Sequence, residues 1–172
     1  MMSNKLLSFL FKRYNGFRFN KTKERKEILR KIMNFISNCK VKGDYLEFGV
    51  YKGSNFVEAI KMAGKKRLDS MRFFAFDSFK GLPIPEGIDK KFDQFYGGQV
   101  SSSLENFHKV LSSSKVDSSR IEIITGWFKD TLNAETKIKL SLKSAAVIWV
   151  DCDLYESTVS VLEFITDLVN DG

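Results

Sequence analysis

Four short apolar runs constrain this chain more than any other feature. Tyr45 to Val50, Arg72 to Phe76, Ile121 to Thr125 and Ala145 to Val150 each have the length of a strand, and the last three are each followed directly by a glycine or an acid. Amphipathic stretches with helical spacing lie between them. Strands alternating with helices predict a parallel, doubly wound, Rossmann-like α/β sheet. The expected order is 3-2-1-4, in which right-handed crossovers place the first and fourth strands side by side at the switch point. AAVIWV at 145–150 has the continuous apolar character of a central strand covered on both faces.

The helices follow from spacing and capping signals. Ile28, Leu29, Ile32, Met33, Phe35 and Ile36 give Lys21 to Cys39 one apolar face, with its Lys and Arg as the solvated face. Asn55, with Glu58 three residues on, is expected to cap a helix reaching Ala63 and ending near Gly64. Ser102 with Glu105 forms a second capping-box signal, Asp130 or Thr131 is a candidate cap for a short helix, and Ser157 to Val169 supplies the last helix. Lys80 to Val100 contains both prolines and no clear period; an irregular stretch of that length inside a compact domain is expected to be a functional lid.

Charge divides the chain. Residues 1–43 hold 12 Lys or Arg against 2 acidic residues, leaving 16 against 19 from Asp44 onward, so the net charge of +7 belongs to a basic N-terminal arm and helix. The body at 44–172 is slightly acidic, which is not a nucleic-acid footprint. Met1 to Asn20 mixes aromatic and basic residues; it either packs on the domain or a partner subunit, as in a homo-oligomer, or rests on an anionic membrane surface. No apolar run is long enough to span a bilayer and no signal-peptide pattern is present, so the expected compartment is the cytoplasm. Cys39 and Cys152 form no ligand-spaced cluster and are read as reduced thiols, Cys152 as a packing residue. His108 is read as a surface or partly packed residue.

At the carboxyl ends of the strands the predicted order brings together Glu47 to Gly53, Asp77, Gly126 to Phe128 and Asp151 to Asp153. Gly49 and Gly53 allow close approach of a ligand to the backbone. A carboxylate such as Glu47 near the end of an apolar strand needs a partner, for which a ligand ammonium is suitable. Asp77 is placed to accept from two ribose hydroxyls, or else to cap a turn. The GVYKGS spacing departs from the dinucleotide fingerprint GxGxxG, which favours a nucleoside ligand without a pyrophosphate.

The segments GDYLEFGVYKGSNF, FFAFDSFKGLP, GWFKDTL and VDCDLYEST, in this order, resemble class I S-adenosylmethionine-dependent methyltransferases. Within that class the resemblance is to the TylF/MycF/NovP-like (macrocin O-methyltransferase-like) sugar O-methyltransferases. It implies that Glu47, Gly49, Tyr51, Gly53 and Ser54 surround the methionine part of S-adenosyl-L-methionine. Asp77 would hold the ribose beside Ser78, and Trp127 and Phe128 would lie on the adenine side. Asp151 and Asp153 would be the catalytic acids, with Asp151 also a ligand of Mg2+ and Asp153 a supporting acid or helix cap. The implied activity is methyl transfer to a hydroxyl of a sugar or glycosylated metabolite. The resembling enzymes continue into a fifth strand with a further acidic pair, so the domain is expected to be incomplete at its C-terminal end and the fourth strand to have an uncovered edge. Two other readings remain: a nicotinamide-dependent oxidoreductase, and an inactive binding or interaction module.

Overall fold

A computed structural model describes residues 21–169; the N-terminal arm at 1–20, with its membrane or partner contact, lies outside the described residues. The chain runs α1 (Lys21–Cys39), β1 (Asp44–Phe48), α2 (Ser54–Lys65), β2 (Phe73–Asp77), α3 (Leu104–Ser113), β3 (Ile121–Thr125), α4 (Phe128–Thr131), α5 (Ala134–Lys139), β4 (Ala145–Val150) and α6 (Tyr155–Ile165). The four strands form one parallel sheet in the order β3-β2-β1-β4, as the alternation of runs and crossovers predicts.

Strand alternation sorts the side chains into two layers. Tyr45, Phe73, Ala75 and Val147 join a core with residues of α1, α2 and α3, including Leu29, Met33, Phe56, Ile60 and Phe107. Leu46, Phe48, Phe74 and Phe76 face the other way, against Val161, Phe164 and Ile165 of α6. Phe48 and Phe76 stack with centroids 4.7 Å apart, and Phe164 meets both edge-on. Burying a ring of this size stabilises by roughly 1.5–3 kcal/mol, so the aromatic content explains how this sheet is held from both sides. The same parity puts Glu47 and Asp77 on the α2 side of the sheet.

Several local expectations are corrected. In α1 the buried stripe is Leu29, Met33 and Ile36, while Ile28 and Phe35 are exposed. Each of these lies one residue before a buried position, about 100° round the helix. β1 stops at Phe48 because Gly49 (φ 87°) turns the backbone away, and α2 begins at Ser54 with Gly53 in the cap position rather than Asn55. α2 ends at Lys65, one residue past Gly64 and close to the expected end. The cap of α3 is Ser103, whose Oγ accepts from Asn106 N at 3.2 Å; Ser102 lies one residue too early. The region after β3 holds two short helices: Trp127 occupies the first cap position and Asn133, accepting from Thr136 N, caps the second, in place of Asp130 or Thr131. α6 spans Tyr155–Ile165 rather than 157–169.

β4 is also less buried than its sequence suggests. Ile148 and Trp149 are half-buried and Val150 is exposed, because β1 is its strand neighbour on one side. On the other side Ala145 N donates to Leu168 O at 2.9 Å within an isolated bridge. Among the described residues no helix is long and apolar enough to cross a membrane.

Candidate active site

The β1 end is built around a buried carboxyl. Glu47 is 1% exposed. Its Oε2 accepts from Tyr45 Oη at 2.5 Å and from Asn55 Nδ2 at 3.0 Å. Asn55, displaced from its expected capping role, instead joins this network from the first turn of α2. Burial pushes the Glu47 carboxyl up to about 8, partly offset by the two hydrogen bonds. The Asp151 charge raises it further and the Arg25 charge lowers it. Burial and the Glu47 charge also push the Tyr45 hydroxyl well above its ordinary range.

Asp77, at the end of β2, holds the loop that follows β1. Its Oδ2 accepts from Val50 N and Tyr51 N, both at 2.9 Å, and its Oδ1 accepts from Phe79 N at 2.8 Å. This grip keeps Tyr51 in the left-handed region (φ 49°), where a non-glycine side chain is strained. A carboxylate has about four acceptor positions, so three amides leave room for a ligand hydroxyl. Ser78 closes the next turn: its Oγ donates to Gly81 O at 2.7 Å and accepts from Lys80 N at 3.1 Å.

The two glycines serve packing as well as access. A Cβ on Gly49 would lie 2.6 Å from Asp151 O, so this glycine lets the ends of β1 and β4 approach. A Cβ on Gly53 would lie 2.4 Å from the Phe107 ring. Gly53 therefore admits α3 against the turn, and of the expected cofactor residues it is the one that does not line the cavity.

The β4 end is open and charged. Arg25, one helical turn before Leu29 on α1, reaches Asp151 with both nitrogens: Nη1 lies 2.6 Å from Oδ2 and Nη2 donates to Oδ1 at 2.9 Å. Sequence reasoning assigned Arg25 to the solvated face. Its position four residues before Leu29 and eight before Met33 is the signal that places it over the sheet. Cys152 is half-buried, its Sγ 3.9 Å from Phe48 O, and burial and the Asp151, Asp153 and Asp77 charges push its thiol up to about 12. That environment suits packing and makes the thiol a poor nucleophile.

The cap of α6 comes from the lid. Asp89, 3% exposed, accepts from Tyr155 N at 2.9 Å and from Glu156 N at 3.1 Å. The side chain at the Leu154 cap position supplies no such bond. The 80–100 segment is pinched at its base by Leu82 N to Gln99 O and Gly98 N to Leu82 O, both 2.8 Å. Leu82, Pro83, Ile84 and Gly98 of this segment line the cavity.

Most of these groups meet at one cavity of about 960 Å³. Glu47, Gly49, Tyr51, Ser54, Asp77, Ser78, Trp127, Phe128, Asp151 and Asp153 line it, with Arg25, Asn55 and Asp89 added by the structure. Phe128 also packs edge-on against Phe48. Among the described residues, Asn55 Oδ1 and Trp127 Nε1 are buried without a hydrogen-bond partner, and both belong to cavity-lining residues. Buried polar atoms ordinarily find partners, so a polar ligand suits this site. His108 is exposed on α3, outside it.

The profile of the macrocin-O-methyltransferase (TylF) family matches residues 21–172. The chain belongs to that family. It is 30% identical over 139 residues to 8-demethyl-8-(2,3-dimethoxy-alpha-L-rhamnosyl)-tetracenomycin-C 4'-O-methyltransferase of Streptomyces olivaceus, covering 77% of this chain and 51% of that protein. It is also 30% identical over 153 residues to demethyldecarbamoylnovobiocin O-methyltransferase of Streptomyces niveus, covering 81% of this chain and 53% of that protein. The chain thus spans about half the length of these relatives. Its fold is shared with the O-methyltransferase NovP (TM-score 0.71, 24% identity, 84% of this chain and 60% of that one). It is likewise shared with the calicheamicin methyltransferase CalS11 (TM-score 0.74, 21% identity, 89% and 62%).

Proposed function

We propose that this TylF-family chain binds S-adenosyl-L-methionine and serves an O-methyltransferase that acts on a hydroxyl of a sugar or glycosylated metabolite. The observation that carries this reading is the meeting of Glu47, Asp77, Trp127 and Asp151 in one cavity at the carboxyl ends of the parallel strands. A volume of about 960 Å³ suits a nucleoside-sized ligand with an acceptor beside it. The names of the two relatives support the acceptor class.

The bound sulfonium supplies an activated methyl group. The chain's own residues do the rest. Glu47, steadied by Tyr45 and Asn55, ionises against the ligand ammonium; the opposite charge compensates its burial. Asp77 accepts from a ribose hydroxyl with the capacity its three amides leave. Trp127 offers a ring face and an indole N–H to the base. The lid excludes water, and Asp151 takes the proton of the acceptor hydroxyl as its oxygen attacks.

Magnesium would be held by hard oxygen donors at Asp151. Among the described residues no group of three His, Cys, Asp or Glu side chains is placed to hold an ion, and both Asp151 oxygens face Arg25. These donors do not by themselves fit a metal.

Calorimetric titration with S-adenosylhomocysteine and with NADH tests the reading. We expect the first to bind and NADH not to, with Asp77→Ala weakening the former at least tenfold through loss of the hydroxyl contact and the loop. Preference for NADH overturns the assignment.

A further inference from the structure

Arg25 lines the cavity without a part in the roles proposed above. It is rigidly mounted: Leu29 and Met33, on the same stripe of α1, are fully buried, and the neighbouring Lys26 pairs with Glu58 of α2 at 3.2 Å. Its guanidinium lies within the field of Glu47 while gripping Asp151 through two contacts. Arg25 and Asp151 are 41% and 37% exposed, so this pair is accessible to a competing anion. Lys52, Lys80 and Lys129 also line the cavity; the Lys52 ammonium lies over the Tyr51 ring, 5.1 Å from the centroid, and that of Lys80 over the Trp127 ring at 5.7 Å.

The amino-acid end of the cofactor carries its ammonium and its carboxylate on one carbon. A site that receives the ammonium at Glu47 must meet the carboxylate next to it, and a guanidinium fork matches a carboxylate in two-point geometry. Resting on the cofactor reading above, we propose that Arg25 binds the cofactor carboxylate and does so by releasing Asp151. Cofactor binding then exchanges one carboxylate for another on the same guanidinium. The freed Asp151 becomes available to the acceptor hydroxyl only after the cofactor is in place. The residue that positions the cofactor thereby sets the order of binding, with cofactor first.

The test is calorimetric and needs no turnover. The protein, Arg25→Gln and Arg25→Lys are each titrated with S-adenosylhomocysteine and with its decarboxylated analogue, which keeps the amine and lacks the carboxylate. Arg25→Gln is expected to weaken S-adenosylhomocysteine about tenfold or more and leave the analogue unchanged, with partial recovery in Arg25→Lys. Asp151→Asn, which removes the competing charge, should raise the preference for S-adenosylhomocysteine over the analogue several-fold, and only while Arg25 is present. Equal weakening of both ligands in Arg25→Gln, or no weakening, overturns the carboxylate assignment. An unchanged preference in Asp151→Asn overturns the exchange. If the unaltered protein binds neither ligand, the cofactor reading itself fails and takes this inference with it; if it binds both and Arg25→Gln changes nothing, only the inference falls.

Discussion

Glu47 and Asp151 stand at the carboxyl ends of adjacent parallel strands, in a register that pairs Glu47 with Trp149. Their electrostatic circumstances are opposite. Glu47 is sealed among Tyr45, Asn55 and the aromatic core, and burial lifts its carboxyl to about 8, so it is largely protonated at neutral pH without a cation beside it. Asp151, two residues past the level of Glu47, is more than a third exposed and carries a guanidinium. Under the proposal above, one carboxyl would acquire its charge when a ligand supplies the counter-charge, and the other would exchange its counter-ion. Burial at one strand end and a paired guanidinium at the other thus set two like groups apart.

The most severe way to break this contrast is to push the two ends apart. Gly49→Ala places a Cβ 2.6 Å from Asp151 O at a left-handed φ of 87°, so both strain and backbone displacement follow. A loss of about 4 kcal/mol is expected by chemical denaturation.

The pH dependence of stability sharpens the contrast. Glu47 has its folded pKa raised from 4.5 to about 8. Between those values the folded state retains a proton that the unfolded state has lost. Its contribution is fully present below about pH 4.5 and declines as pH rises through the folded value, by at most about 1.4 kcal/mol per pH unit, levelling off above about pH 8. Denaturation series at pH 5 to 8 should show this decline in the protein and not in Glu47→Gln.

The smallest effect belongs to the open end. Arg25→Gln breaks a pair whose members are 41% and 37% exposed, and is expected to cost under about 1 kcal/mol, diminishing with salt. A loss several times larger would mean that Asp151 resembles Glu47 after all.

Much of the molecule was legible because its signals are local. The strand runs and the alternation that turns Glu47 and Asp77 to one side of the sheet depend on neighbours within a few residues, and so does most of the α1 stripe, from which Ile28 and Phe35 depart. Capping proved less legible. Ser102 and Ser103 differ by one residue with the same chemistry, and Asn55 had two uses for its side chain: a helix end nearby, or a buried carboxyl eight residues back. Packing of α2 against β1 selected the second.

The sequence by itself determined the doubly wound sheet, its order, and the edge where the ligand-directed residues gather, because hydrophobic period and chain crossover leave few alternatives. Only the tertiary structure decided which partner each polar residue takes. Arg25 meets Asp151 across 126 residues, and Asp89 meets the amides of α6 across 66 and 67. No local period encodes such pairs; they exist because the folded sheet brings the helix, lid and strand ends into the same few ångströms.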